Sequence, residues 1–275
     1  MIIDFHTHIF PDKLASRALS SLAKRVGYEP FGNGTASDLI QKMDEGGIDK
    51  AVVCNIATNP KQQTNVNNFA LETMAQYPDR LIPLASINPY SDTGCEELQR
   101  LKSAGVPGIK LHPDYMGLPI DAPEFDRIFD LCTELDLFII IHAGFDVYSP
   151  DKVHATPDMI LRRLNKNPGI RLVCAHYGSN MMWDEVERKL CGKNLWIDTS
   201  MGVLEGLSPE QARRIIDSHD PSKVLFATDF PWCGMSKNIN FIRSLSFSDE
   251  INEKIFHRNA ENLLKIFSAP SQKTF

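Results

Sequence analysis

The sequence predicts an α/β fold of the closed parallel kind, a (β/α)8 barrel, and three observations predict it. Eight apolar, β-prone runs, at 2–6, 49–55, 81–87, 106–112, 137–142, 170–176, 195–200 and 223–229, alternate with helix-like stretches. That alternation implies a parallel sheet, and eight is the number of strands that closes one into a barrel. The length of 275 residues suits one such barrel, and no linker divides it, so residues 1–275 read as a single domain. Finally, four of the runs pass abruptly into His or Asp, as barrel strands do when they deliver polar groups to the C-terminal rim.

The first run is Met1-Ile-Ile-Asp-Phe-His-Thr-His-Ile9. Residues i and i+2 of a strand face the same way, so His6 and His8 project to one side about 7 Å apart, close enough to grip one metal ion. A long excursion precedes the second run and includes the turn-rich segment 27–34. An excursion at that end of a barrel strand is either part of the site's cover or a plain surface loop; as a cover it makes Phe10, Tyr28 and Phe31 candidates to line a pocket. Inside it, Thr35 or Ser37 can cap a helix over 38–45 whose Leu39, Ile40 and Met43 form one apolar face, stopped by Gly46-Gly47.

In the fourth run, alternation sends Lys110 and His112 to one face and Ile109 and Leu111 to the other. A lysine facing the barrel interior is costly unless it is paired or modified, whereas the opposite register puts it outside beside a helix acid. The fifth, sixth and eighth runs end in His142-Ala-Gly, His176-Tyr-Gly and Asp229-Phe-Pro. His154 is expected to begin the helix after the fifth strand. Asn259 is expected to cap a closing helix over 260–267, with Leu263, Leu264, Ile266 and Phe267 facing the barrel.

Composition excludes several classes of protein. An apolar fraction of 43%, a charged fraction of 23% and a formal charge of -6 without any basic stripe describe a globular protein with no nucleic-acid partner. No apolar run approaches a membrane span, and the N-terminus lacks the basic and apolar regions of a signal sequence, so no membrane partner is expected. The six cysteines form no CxxC, and Cys54 and Cys174 fall inside strands, which points to reduced thiols and a cytoplasmic location.

Taken together the motifs resemble the amidohydrolase superfamily, in the branch that includes aminocarboxymuconate semialdehyde decarboxylase. The matching segments are His6-Thr-His8, Gly108-Ile-Lys-Leu-His-Pro113, Ile141-His-Ala-Gly144, Ala175-His-Tyr-Gly178, Thr228-Asp-Phe-Pro-Trp232 and Asn259-Ala-Glu-Asn-Leu-Leu264, in family order over nearly the whole chain. The resemblance implies a distorted TIM barrel with a metal site at its C-terminal face, and a homodimer. It also implies that His6, His8, His142 and Asp229 surround a divalent metal, most often Zn2+, with Asp229 accepting the proton of a metal-activated water and His176 steadying that water or transferring a proton. In two-metal branches a carboxylated Lys110, with His176, would hold a second metal. The decarboxylase relatives use one metal and lack this lysine, so the metal count and decarboxylation both stay open here. Alternatively, an unmodified Lys110 binds a substrate carboxylate or enolate. His112, Tyr115, Tyr177 and Trp232 lie just beyond strand ends and are candidate substrate contacts.

The function expected from these residues is hydrolysis of a small, carboxylate-bearing molecule, an amide, a lactone or a C–C bond beside a carbonyl, by metal-activated water. Non-oxidative decarboxylation of an aromatic or unsaturated acid is the enzymatic alternative. A barrel that binds metal or metabolite without catalysis is a third reading.

Overall fold

The computed structural model, which describes residues 1–265, turns every run into a strand. These are β1 (Ile3–Thr7), β2 (Lys50–Cys54), β3 (Leu81–Leu84), β4 (Gly108–Leu111), β5 (Phe138–Ile141), β6 (Arg171–Cys174), β7 (Trp196–Asp198) and β8 (Val224–Leu225). All neighbours pair in parallel, in two ladders, β1-β2-β3 and β4 through β8. Shorter links close the ring: Ala85 bridges to Ile109 and Thr7 to Phe230, while Phe5 N–H donates to Phe226 O and Asp229 N–H to His6 O, each at 2.8 Å. The barrel is thus complete, and its distortion lies at these two looser seams.

Side chains from six strands, among them Phe5, Val52, Leu84, Phe138, Ile140, Val173 and Leu225, form one buried cluster that fills the lumen, with Ala260, Leu263 and Leu264 of the last helix packed against it. β4 contributes no bulk there. A Cβ on Gly108 would lie 2.6 Å from the Phe138 carbonyl oxygen, and two residues on, Lys110 occupies the same inward row. Ile109 and Leu111 belong instead to the core between barrel and helices, which settles the register of β4.

β1 departs from simple alternation. Asp4 pairs with Ala51 and Thr7 with Val53, so β1 carries one residue more than its partner, a bulge of the kind that re-aims side chains beside active sites. The buried Asp4 carboxylate accepts His6 N–H at 3.2 Å, Thr228 N–H at 3.0 Å and the Thr228 hydroxyl at 2.6 Å, tying the bulge to the end of β8. Burial, opposed by Thr228, pushes its carboxyl up to about 7. Phe5 therefore packs in the lumen against Phe138, ring centroids 5.6 Å apart, while the very next residue, His6, faces the cavity above.

The excursion after β1 holds two helices, α1 (Asp12–Val26) and α2 (Ala36–Gly46). Thr35 caps α2 by accepting the Asp38 N–H, and Gly47 ends it at φ 69. α1 was not anticipated, although Leu14, Ala18, Leu22 and Val26 recur at helical spacing; the turn-rich stretch beside them masked the pattern.

Two expectations need correction. Asn259 is no cap: its φ of -67 and ψ of -40 are helical, and the chain runs on from a π-helical turn at Lys254–Arg258 into Asn259–Leu264. Its side-chain amide donates to Val224 O at 2.7 Å and Pro221 O at 2.8 Å, fastening the last helix to β8. Ile266 and Phe267 lie outside the described residues. His154 does not begin the next helix, which is Pro157–Lys166 capped by Thr156; its Nδ1 lies 2.9 Å from Asp114 Oδ1. All six cysteines are free thiols. Among the described residues no helix is long and apolar enough to cross a membrane.

Candidate functional site

Three strand ends leave the barrel through left-handed backbone. His176 (φ 62), Tyr177 (φ 56) and Asp229 (φ 65) adopt a conformation that costs a non-glycine residue about 1–2 kcal/mol, and such strain gathers where a side chain must be aimed. At Gly144 (φ 89) a Cβ would come within 2.1 Å of Asn180 N, so only glycine lets the β5 and β6 ends approach this closely. The ends surround a cavity of about 500 Å³, within the usual range for small-molecule sites.

On the cavity floor, His6 Nε2 and His8 Nε2 approach Asp229 Oδ1 at 3.3 and 3.1 Å. The far nitrogen of each ring is anchored: His6 Nδ1 lies 2.8 Å from Asp198 Oδ2, and His8 Nδ1 donates to Cys54 O at 2.8 Å. Both Nε2 lone pairs are thereby turned towards Asp229, the arrangement that orients histidine ligands around a metal. Asp229 Oδ1 is buried and has no hydrogen-bond partner. Two imidazole nitrogens and an orphaned carboxylate oxygen, close enough together to share one ion, fit a divalent metal of borderline softness. Lys110, 1% exposed, extends from β4 to place Nζ 3.0 Å from His6 Nε2.

A second group lies alongside. His176 Nδ1 is 2.8 Å from Ser200 Oγ and its Nε2 is 3.0 Å from His142 Nδ1. Asp198 accepts the backbone N–H of both His176 and Ser200 at 3.0 Å, so one carboxylate steadies the floor histidine and the β6 histidine together. His112 stacks between His142, at 4.3 Å between centroids, and Tyr115, at 3.7 Å. The Asp146 carboxylate lies 3.5 Å from both His112 Nε2 and His142 Nε2.

Burial governs the electrostatics. It lowers the pKa of His6, helped by the Lys110 ammonium, and holds those of His112 and His176 well below the ordinary value, helped by His142. Burial is the largest single influence on Asp198 and Asp229 and would raise both, but His6, His176 and Ser200 together outweigh it at Asp198, and His6, His8 and His176 at Asp229, so their carboxyls stay below the ordinary range. Neutral imidazoles beside ionised carboxylates are the protonation states a metal requires.

Of the residues picked out in the sequence, His6, His8, Asp229 and Lys110 come together, and His112, Tyr115, His142, His176 and Trp232 line the same cavity. His142 stands with His176 and His112, and its Nε2 lies 3.5 Å from Asp146 Oδ2 and 4.0 Å from Asp114 Oδ2. Tyr177 is not a substrate contact: its left-handed backbone turns the ring into the core, fully buried, where it fills the space a Cβ on Gly202 would need. Phe10 and Tyr28 line the cavity, but Phe31 does not; it packs against Gly234 at the surface. Reading the sequence overlooked Asp198, although Trp196-Ile-Asp198 ends a strand run in a carboxylate as clearly as β8 does. Asp146, Asp114 and Ser200 carry no local signal.

The upper wall is apolar. Leu14, Ala18, Leu22 and Val26 of α1 face it with Phe10, Val66 and Phe69. α1 is tethered across the mouth, since the Tyr28 hydroxyl just beyond it donates to Glu205 at 2.9 Å and the Arg25 guanidinium lies 3.9 Å over the Tyr148 ring.

Comparison with known proteins follows from this geometry. The family model described as amidohydrolase matches residues 3–266. No curated protein matches the sequence. Among solved structures, the chain is similar to an uncharacterised TIM-barrel protein from Bordetella bronchiseptica (20% identity, TM-score 0.77, covering 96% of this chain and 98% of that one). It is also similar to 5-carboxyvanillate decarboxylase from Sphingomonas paucimobilis (17%, 0.71, 97% and 99%). A third is a dihydroxybenzoic acid decarboxylase from a Polaromonas species, with bound manganese and 2-nitroresorcinol (16%, 0.74, 98% and 98%). At these identities the likeness concerns the fold.

Proposed function

This chain belongs to the amidohydrolase family, and from that premise we propose that it is a metal-dependent enzyme that removes CO2 from a small aromatic or unsaturated acid. The observation that carries this reading is the pairing, in one cavity, of a floor of metal-ligand type with the apolar wall of α1. A planar acid fits that polarity, its carboxylate down and its ring or alkene against Leu22 and Val26. The names of two structural neighbours, a 5-carboxyvanillate decarboxylase and a dihydroxybenzoic acid decarboxylase, support the same substrate class.

His6, His8 and Asp229 are the residues that would hold the ion, Zn2+ or Mn2+ by their donor chemistry. When bound, it supplies a Lewis acid that anchors and polarises the substrate's oxygens. Lys110, unmodified, places a cation beside the same floor to meet the carboxylate or an adjacent oxyanion. The apolar wall strips water from the carboxylate, which favours its departure as neutral CO2 with the electron pair left on carbon. In the reaction the C–CO2 bond breaks, its electron pair passes to carbon, and a proton forms the new C–H bond. Asp229, which faces the cavity between two imidazoles, is the proton carrier.

Hydrolysis is the second reading, and the specific observation in its favour is Lys110, which suits an oxyanion formed when water attacks a carbonyl. One experiment separates them. Metal-loaded protein is screened against aromatic and unsaturated acids, carboxylated amides and lactones, and any active pair is run in D2O and in 18O-labelled water. Decarboxylation places one deuterium on carbon and releases CO2 without consuming water; incorporation of 18O into a newly formed acid or alcohol would overturn it in favour of hydrolysis.

A further inference from the structure

We propose that the acid taken up by this cavity is a monocarboxylate with an extended apolar substituent, which lies lengthwise under α1 along Leu14, Ala18, Leu22 and Val26. This deepens the reading of an acid held by its carboxylate on the floor, and rests on it. The faces of α1 differ in what they meet. Arg17, Ser20, Ser21 and Lys24 are exposed and mark the solvent side, while Ala15 and Leu19 are buried, Leu19 beside Gly34. The remaining face is apolar as well, yet Leu14 is 54% exposed, Ala18, Leu22 and Val26 are only half-buried, and all four look onto the cavity. None of the four packs into the buried core. Residues four apart form a ridge on a helix, and an apolar ridge left open beside a pocket is surface that a ligand covers.

The ridge is long. From Leu14 to Val26 it runs for twelve residues, about 18 Å at the rise of an α-helix. α1 also crosses the mouth from side to side: it begins just beyond β1, and its far end is fastened beyond β7 by Tyr28 on Glu205 and beyond β5 by Arg25 over Tyr148. A single carboxylated ring covers only part of such a trench, whereas about 500 Å³ takes up a molecule of drug size. Val66 and Phe69, on the helix Gln63–Gln76, add further apolar lining. Charge limits the acid to one carboxylate. Among the described residues lining the cavity, Lys110 is the only lysine or arginine, and it stands at the floor, 3.0 Å from His6 Nε2. The lining carboxylates other than Asp229 are Asp146 and Glu205. A second carboxylate on the substrate, away from the floor, would lose water beside these acids with no cation to pair it.

Full-length protein supplied with Zn2+ is titrated by calorimetry with benzoate and with 3- and 4-alkylbenzoates that carry butyl or hexyl chains. Each methylene buried on the ridge should tighten Kd by about 3- to 4-fold, so that at one ring position the hexyl acid binds at least about 100-fold more tightly than benzoate. Isophthalate and terephthalate should bind at least about 10-fold more weakly than 3- and 4-methylbenzoate. Ala18→Trp, which fills the ridge, and Leu14→Gln, which makes it polar, should each cut the hexyl-to-benzoate affinity ratio by about 10-fold or more. Lys110→Met should weaken both acids alike and leave that ratio unchanged, with circular dichroism confirming that every variant is folded. The proposal is overturned if alkyl chains bring no gain at either ring position, if the ratio survives both substitutions in α1, or if the dicarboxylates bind as well as the monoacids. The decarboxylase reading fails separately. A chain-length gain on acids that release no CO2 keeps this ligand class and refutes decarboxylation, whereas CO2 release from short acids without any chain-length gain refutes the proposal alone.

Discussion

At Asp229 two imidazole nitrogens converge on one carboxylate oxygen that no donor satisfies, and the first prediction belongs there. Asn is nearly isosteric and keeps one oxygen for a metal, but it does not carry a proton at neutral pH. Asp229→Asn, verified to be metal-loaded, should lose roughly 10²–10⁴-fold in kcat. Turnover within a few-fold of wild type would remove Asp229 from proton transfer and leave His176 as the carrier. Asp198 acts differently, through His6: it accepts the proton of His6 Nδ1 and so points Nε2 at the floor. Asp198→Asn should weaken metal affinity by about 10- to 100-fold, the usual effect of losing such support, with equilibrium dialysis as the check. Lys110→Met is expected to retain the metal and to raise KM for a carboxylated substrate. Unchanged kinetics with normal metal content would place Lys110 outside the reaction.

Among the elements, α1 decides what fits above the floor. Leu22 faces the cavity from its third turn, and replacing an apolar contact with an amide there should penalise binding of an apolar ring by roughly 10-fold. Leu22→Gln should therefore raise KM for an aromatic acid and leave kcat nearly intact. Equal losses in both would mean that α1 supports the floor instead of the substrate. A different element carries a pH dependence. His219, at the end of the helix Pro209–Ser218, accepts Gly192 N–H at Nδ1 (3.2 Å) and donates Nε2–H to Leu195 O (3.0 Å), a pairing possible only for the neutral ring. Burial lowers its pKa in the folded state. A depressed folded pKa means stability that is complete above the unfolded value, near 6.5, and is lost as pH falls below it, by at most about 1.4 kcal/mol per pH unit. His219→Gln offers the same acceptor and donor without titrating. Urea unfolding between pH 7 and 5 should show a shallower loss in this variant than in wild type; identical slopes would contradict the assignment.

For the whole molecule, the barrel brings ligands from β1 and β8, the two ends of the chain, to one ion, so metal binding and folding are coupled. A ligand at 100 times its Kd stabilises the folded state by about 2.7 kcal/mol, and for a chain of this size each kcal/mol moves Tm by roughly 2–4 °C. Calorimetry should show Tm falling by several degrees when metal is chelated and no such change in His6→Ala/His8→Ala. Much of this architecture was legible in the sequence, because barrel strands are continuous apolar runs and their polar terminators stand out against them. Thus the eight strands and the strand-end positions of His6, His8, His142, His176 and Asp229 follow from period-2 alternation and strand ends alone, whereas alternation left Lys110 two possible faces and the packing of Ile109 and Leu111 against the helices chose the inward one. Local pattern does not determine what a ring does after the strand ends. The left-handed turn at Tyr177, which buries its side chain, and the continuous helix through Asn259 are set by packing against Gly202 and β8, residues far away in the chain. Partnership likewise belongs to tertiary structure. His142 meets His176, His112 and Asp146, and Asp198 links His6 to Ser200, because barrel closure fixes which strand ends are neighbours, and hydrogen bonds between neighbours then choose the nitrogen each histidine presents.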